Sequence, residues 1–507
     1  MMSRFLVAAL AGFLLAPGGL AAGPPSGPGP RFELRPGERS SPQGQRLPGR
    51  ASDAGVVDTG ERSSPQGQRF PGRASDAGVV DTGDRYWRVA GREAFVLGRN
   101  PAGMNPKAYE DHFRRAALAG ESFMRIHFTY IPPGEKAGEI DDGMLKSWDA
   151  VLDAAERHGL AVLPVLGVWA DWNDGSSKET WHRWDENPFN TARGGPAKRP
   201  DELLDDTPCR GLWLKRLATF VRRWAHRRAI VGWEIFSELD LVTGATEERA
   251  VRFVERSAAV IREADPWKRP VTASQAGINE WPELLKSGAL DFIEVHPYAD
   301  GAYQGRLDDL IIKVVRERLG KYGKPVLLGE CGLSSSPPRG TMDVAERADI
   351  GVRHAIWASV VSGAMNGRML WWQDGYDQFE KVDLASRYHS AAAQAAAFVK
   401  GIAFTGFVPV PCELSDGLKG AMIGDAKTML GWFRDARCEP PDWPAKPTTG
   451  QTVTIDAPGK SWRAEFIDTT TGKRVSSNRL AVRNRRLRIV LPEFQESIAV
   501  QLHLLRS

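Results

Sequence analysis

The chain has 507 residues, 42% hydrophobic and 26% charged, with 67 basic side chains against 63 acidic ones. This length suits one large domain plus a smaller one, and the near balance of charge leaves little electrostatic footprint for nucleic acid. Four cysteines, none in a CxxC pair, exclude a disulfide scaffold and a cysteine-based zinc site.

Residues 1–22 read as an export signal. Arg4 precedes the apolar run Phe5–Leu15, and the small residues Ala21 and Ala22 offer a cleavage site. The run is too short to cross a bilayer, and no later segment approaches spanning length, so no stable membrane insertion is expected. The mature protein is expected in the periplasm or outside the cell. Residues 23–85 read as a low-complexity, disordered linker. Within it the 23-residue stretch Glu38–Gly60 recurs as Glu61–Gly83 with one change, Leu47 to Phe70. Two copies so poor in apolar side chains cannot bury a core.

From Tyr86 onwards the texture changes. Tyr86–Val89 and Glu93–Leu97 flank Ala90-Gly91-Arg92 as a hairpin leading into a strand. Short apolar runs then alternate with amphipathic stretches. Strands are expected at Phe95–Gly98, Phe123–Phe128, Ala161–Leu166, Val231–Phe236, Val271–Ser274, Phe292–His296, Val326–Gly329 and Met369–Trp372. Helical patterns between them include Ala108–Ala119, Leu145–His158, Leu212–Ala225, Glu247–Glu263, Leu307–Leu319 and Val344–Ser362. Eight such units over residues 86–404 predict an α/β fold, a (β/α)8 TIM barrel. A doubly wound sheet would want a glycine-rich phosphate loop after the first strand, and Gly98-Arg99-Asn100-Pro101 is not one.

The connection Gly167–Asp206 is much longer than its neighbours and carries Trp169, Trp172, Trp181 and Trp184. It follows a barrel strand and so opens at the C-terminal face. It is read as a wall of a substrate cleft, with Trp169 and Trp172 as stacking surfaces. Residues 405–507 alternate in strand fashion over Ala421–Phe433, Thr452–Ile455, Trp462–Asp468, Arg479–Val482, Leu487–Leu491 and Ala499–Leu504. They predict a β-sandwich that holds both Cys412 and Cys438, candidates for pairing in an oxidising compartment.

Two glutamates end barrel strands. Glu238 closes Trp233-Glu234-Ile235-Phe236-Ser237-Glu238 after strand four, and Glu330 closes Val326-Leu327-Leu328-Gly329-Glu330 after strand seven. Both therefore face one mouth of the barrel. A facing carboxylate pair is what glycoside hydrolysis needs, one protonated for the leaving oxygen and one ionised for attack. Tyr298, in His296-Pro297-Tyr298 after strand six, is placed to donate to Glu330. Arg125 on strand two, if it points inward, needs an anionic partner that a nucleophilic glutamate would supply. Trp371 and Trp372 end strand eight, where an indole face would floor a sugar subsite.

In this order the residues resemble glycoside hydrolase clan A, most closely the family 5 cellulase and mannanase type, over residues 86–404. The resemblance implies a secreted retaining β-glycosidase with Glu238 as acid/base and Glu330 as nucleophile. It places Arg125, His296, Tyr298 and one of Trp371 or Trp372 around the reactive subsite, with no cofactor and no metal. The partner is then a carbohydrate, a β-mannan or β-glucan, and the oligomeric state stays open. One departure stands out. The clan has asparagine before the acid/base, binding the sugar 2-hydroxyl, and this chain has Ser237, a shorter side chain with only a hydroxyl. Ser237 keeps a second reading open, a catalytically silent carbohydrate-binding barrel. A third, a metal-dependent barrel enzyme, is disfavoured because the nine histidines show neither HxH nor HExxH spacing.

Overall fold

The structure is a computed structural model that describes residues 81–505, apart from 84, 90–91, 103–105, 129–130, 132–135, 177–180, 336–346 and 372–381. The export signal, nearly all of the linker and its repeat, and Trp372 lie outside the described residues. Two residues assigned above to the linker are already strand. Asp81 and Thr82 pair with Arg88 and Trp87, and Trp87–Val89 in turn pairs with Arg92–Ala94. This ribbon puts Trp87, fully buried, against Phe123 and Phe292 with ring centroids 5.8 and 5.4 Å away. Phe123 begins the second barrel strand and Phe292 immediately precedes the sixth, so the indole plugs the N-terminal end of the barrel.

Eight parallel strands follow: β1 Val96–Arg99, β2 Phe123–His127, β3 Ala161–Val165, β4 Trp233–Glu234, β5 Val271–Thr272, β6 Ile293–Val295, β7 Val326–Leu328 and β8 Asn366–Arg368. Each is followed by a helix: α1 Pro106–Leu118, α2 Asp142–His158, α3 Pro208–Trp224, α4 Glu247–Ala264, α5 Pro282–Lys286, α6 Leu307–Tyr322, α7 Ala348–Ser362 and α8 Val382–Val399. The strands are buried throughout, as the covered faces of a parallel barrel require, and so read as near-continuous apolar runs. The helix ends have local causes. Asp141 caps α2 by accepting from the Met144 amide, and Gly159 ends it at φ 67°, a left-handed conformation that costs glycine little. Pro208 occupies the first turn of α3, where its missing N–H loses no bond, and Thr207 caps it.

The ring closes where β8 pairs with β1, Asn366 opposite Val96. Strands β8-β1-β2-β3-β4-β5 form one continuous sheet, and β6 pairs with β7. The two joints between these panels are single bridges, Ser274 to Glu294 and Cys331 to Leu370. Side chains stitch the joints: the Thr272 hydroxyl donates to the Phe292 carbonyl, and the Asn366 amide both accepts from Leu328 N–H and donates to its carbonyl. The eighth strand thus starts earlier than Met369–Trp372. Its apolar tail misleads, because Arg368 and Met369 turn out of the extended path at φ 76° and 36°. Asn366 and Arg368, polar but buried, form the strand by bonding across the seam and to Glu121, respectively.

The C-terminal region is antiparallel. Strands β9 Val408–Val410, β11 Leu418–Gly424, β12 Thr428–Asp435, β17 Ser497–Leu504, β14 Ser461–Asp468 and β15 Arg474–Ala481 form one sheet in that spatial order. A second sheet holds β10 Cys412–Leu414, β13 Thr452–Asp456 and β16 Arg486–Val490. The two share one core, including Met422, Phe433, Ile455, Trp462, Phe466, Leu487 and Val500. The run Ala421–Phe433, expected as a single strand, is a hairpin: Asp425 Oδ1 accepts from the Lys427 and Thr428 amides and turns the chain. Cys412 and Cys438 stand as free thiols.

Helix α7 joins the two parts. Every residue from Ala348 to Ser362 is buried, the mark of a helix covered on all sides. It lies between the barrel and strands β11 and β12, with His354 facing Trp432 at 5.6 Å. At the same junction Arg434 reaches Asp308 at 2.5 Å, Asp309 at 3.3 Å and Glu439 at 3.0 Å.

Candidate active site

The C-terminal ends of β2, β4, β6 and β7 converge on one guanidinium. Arg125 is fully buried on β2. Its Nε and Nη2 bind the two oxygens of Glu234 at 2.7 and 2.8 Å, and its Nη1 holds Glu330 Oε1 at 2.8 Å. Nη2 also reaches Ser237 Oγ at 2.9 Å, and Nε lies 2.7 Å from Glu294 Oε1. A planar fork of fixed donors suits several carboxylates at once better than an ammonium would.

Glu330 follows β7. Tyr298 Oη donates to its Oε2 at 2.6 Å, opposite the Arg125 contact on Oε1. Burial alone would raise this carboxyl. The charges of His296 and Arg125, His127 nearby and the Tyr298 hydrogen bond more than offset that and hold it down at about 2. Glu238, at the end of β4, is set differently. Burial pushes it up and the Glu330 charge pushes it further, while a hydrogen bond with His296 opposes both. Its backbone is left-handed, φ 56° and ψ 53°, rare for a residue with a Cβ. Glu238 N–H is satisfied by Ser274 Oγ at 3.0 Å.

His296 bridges the pair. Its Nδ1 lies 2.8 Å from Glu238 Oε1 and 3.8 Å from Glu330 Oε2, and its Nε2 lies 3.5 Å from Glu294 Oε1. One oxygen of Glu238, one of Glu330 and a His296 nitrogen all lie within 4.8 Å of one another. The chemistry open to this arrangement is general acid catalysis beside an ionised carboxylate. Glu234, Glu294 and His296 are also close enough to share a cation. The Arg125 Nε, 2.7 Å from both Glu234 and Glu294, already supplies the positive charge there.

The expected residues Arg125, Ser237, Glu238, His296, Tyr298 and Glu330 therefore come together. Trp371, at the top of β8, meets the His127 ring edge-on at 5.3 Å on the Glu330 side. Trp169 is half-buried beside the site. Its backbone N–H donates to the Ser237 carbonyl, and its ring meets Trp181 at 5.8 Å. Trp172 corrects the expectation: it is fully buried against Trp184, Phe189 and Trp213 of α3, and so forms the core of the long connection instead of facing a cleft.

Four residues escaped the sequence reading. Glu234, the last residue of β4, and Glu294, in the middle of β6, are buried acidic residues. Asn100 donates to the Gly329 carbonyl and accepts from Arg125, and His127 lies two residues beyond Arg125 on the same face. A period-two signal was present, since Arg125 and His127, like Glu294 and His296, share a face of their strands.

No protein-family profile matches the chain. A curated relative, mannan endo-1,4-beta-mannosidase 2 of Oryza sativa subsp. japonica, is 24% identical over 277 residues, 46% of this chain. The chain spans 60% of that relative's length. Among solved structures, a glycoside hydrolase superposes with TM-score 0.60 at 14% identity, covering 85% of this chain and 97% of its own. A family 5 glycoside hydrolase from Bacteroides vulgatus ATCC 8482 superposes with TM-score 0.58 at 13% identity, covering 84% and 93%. The chain thus shares its barrel fold with solved glycoside hydrolases, one of them of family 5, and is similar in sequence to a mannan endo-1,4-beta-mannosidase.

Proposed function

We propose that the protein is an exported, retaining β-glycoside hydrolase acting on a β-mannan or related β-glucan. The observation that carries the reading is the approach of Glu238 and Glu330, oxygens within 4.8 Å. Double displacement calls for carboxyl groups about 5–5.5 Å apart, whereas inversion needs about 6.5–9.5 Å to admit a water. The opposite electrostatic settings support the division of roles, with Glu330 held ionised and Glu238 pushed toward its protonated form. In this mechanism Glu330 attacks the anomeric carbon as the glycosidic bond breaks, and Glu238 gives its proton to the departing oxygen. Water then attacks the glycosyl ester, surrenders a proton to Glu238 and frees Glu330. Mannan is the first substrate to try because the curated relative is named for it.

The test is reducing-sugar release from mannan, mixed-linkage glucan, cellulose oligomers and xylan, beside Glu330→Gln. Release that disappears in the variant, with the β-anomer formed first by NMR, supports the reading. First formation of the α-anomer would overturn retention. Glycan binding without turnover, unchanged in Glu330→Gln, would overturn catalysis altogether.

A further inference from the structure

Glu294 has no evident task in the mechanism above, yet its burial is costly. The residue is 3% exposed, and among the described residues neither carboxylate oxygen accepts a well-formed hydrogen bond. A buried carboxylate is tolerated only when charge compensates it. Arg125 compensates Glu294 only in part, because the Nε that lies 2.7 Å from its Oε1 is shared with Glu234 and the rest of the fork serves Glu234 and Glu330. Glu294 faces a second cation candidate, the far side of the His296 ring, with Nε2 at 3.5 Å. Room for this approach is made on β7. A Cβ built on Gly329 would collide with Glu294 Oε1 and with His296 Nε2.

Resting on the glycosidase reading, we propose that Glu294 is a positioning residue for the acid/base. It holds His296 doubly protonated, so that Nδ1–H anchors Oε1 of Glu238 and leaves Oε2 as the oxygen that hands over and takes back the proton. The His296 proton itself never leaves; the proton gained by the departing oxygen comes from Glu238, and the one returned comes from water. The surroundings agree in sign. Facing the ring are Glu294 on its own strand, Glu330 from β7, and Glu238 and Asp240 from the β4 end. Arg125 and His127 face it from β2, and an oxygen of the buried Glu234 lies within 4.8 Å of a ring nitrogen. Burial opposes a charged ring and Arg125 opposes it too, but Glu330, Glu238 and Glu294 outweigh them and raise it to about 10.

Two measurements test this, one without substrate. In 15N-histidine-labelled protein, His296 should carry protons on both ring nitrogens at pH 7–8, and Glu294→Gln should lower its titration by more than about one pH unit. In the kcat/KM profile, removing a negative charge disfavours every proton-bearing state of the Glu238–His296 pair, so the basic limb should move down by a similar amount. The acid limb, set by Glu330, should stay. In a His296→Gln background the same substitution should shift the basic limb little, because the effect runs through the ring. Should Glu294→Gln fail to fold, Glu294→Asp keeps the charge and should retain the double protonation. An unmoved His296 titration in folded Glu294→Gln overturns the proposal, as does an equal limb shift without His296. If instead Glu330→Gln leaves glycan cleavage intact, the glycosidase reading fails while the histidine titration still judges Glu294.

Discussion

Tyr298 and Glu330 meet across the β6–β7 pairing with 2.6 Å between the phenol oxygen and carboxylate Oε2. The tyrosine hydroxyl is a donor reserved for the ionised form, and burial raises its own pKa so that it keeps its proton. A hydrogen bond to a charged group contributes about 1.5–3 kcal/mol. Tyr298→Phe should therefore lower kcat/KM roughly 10- to 100-fold. It should also move the acid limb of the pH profile upward, because losing a donor to the carboxylate raises the Glu330 pKa from about 2. A rate profile from pH 3 to 8 checks both.

Backbone strain at Glu238 gives a stability prediction. A left-handed conformation costs a side-chain-bearing residue about 1–2 kcal/mol, and glycine adopts it freely. Glu238→Gly and Glu238→Gln both remove the carboxylate and should both abolish turnover. After the entropy that glycine forfeits, the glycine variant should be more stable than the glutamine one by about 0.5–1 kcal/mol. Urea unfolding of the two compares them directly.

The junction between barrel and β-region rests on a buried ion cluster. Arg434 is 1% exposed and faces Asp308, itself buried. Arg434→Met should cost about 3–5 kcal/mol by leaving that carboxylate uncompensated. Adding Asp308→Asn should recover much of the loss, and equilibrium unfolding of the three proteins measures it.

Acid should unfold the protein partly through histidines. Burial and Arg125 hold His127 down at about 3, and burial with the charges of Arg434 and Arg353 holds His354 well below its ordinary value. The folded pKa lies below the unfolded one. The stability these neutral rings contribute is thus full above about pH 6.5 and is lost as pH falls toward 3. His127 alone should cost roughly 2 kcal/mol by pH 5. Tm measured from pH 7 to 5 should fall less steeply in His354→Leu than in the parent.

Much of the barrel was legible because parallel strands covered on both faces leave unbroken apolar runs, as at Leu163 and Leu327. The ends of those runs pointed to Glu238 and Glu330. What stayed hidden was polar residues that the fold turns inward. Asn366 and Arg368 looked like a loop, yet one stitches a seam and the other meets Glu121. Glu234 and Glu294 fell inside expected strands without an assigned role, since nothing local announces a guanidinium arriving from β2. Trp172 misled in the other direction: an aromatic cluster can line a cleft or fill its own loop, and composition does not tell which.

The uneven stitching of the barrel wall has a mechanical consequence. Strands β6 and β7 form a two-strand plank, joined on each side by one isolated β-bridge, a few scattered backbone hydrogen bonds and side-chain bonds instead of a continuous ladder. That plank carries His296, Tyr298, Glu294 and Glu330, whereas Arg125 and Glu238 belong to the six-strand panel. Any force that opens the wall, thermal or from a wedged ligand, will part it along these two seams. The plank would swing as a unit, keeping Tyr298 on Glu330 while separating Glu330 from Arg125. Amide exchange should accordingly be faster at Asp291 and Met365 on the seams than within β1 to β3, and Asn366→Ala should widen that difference.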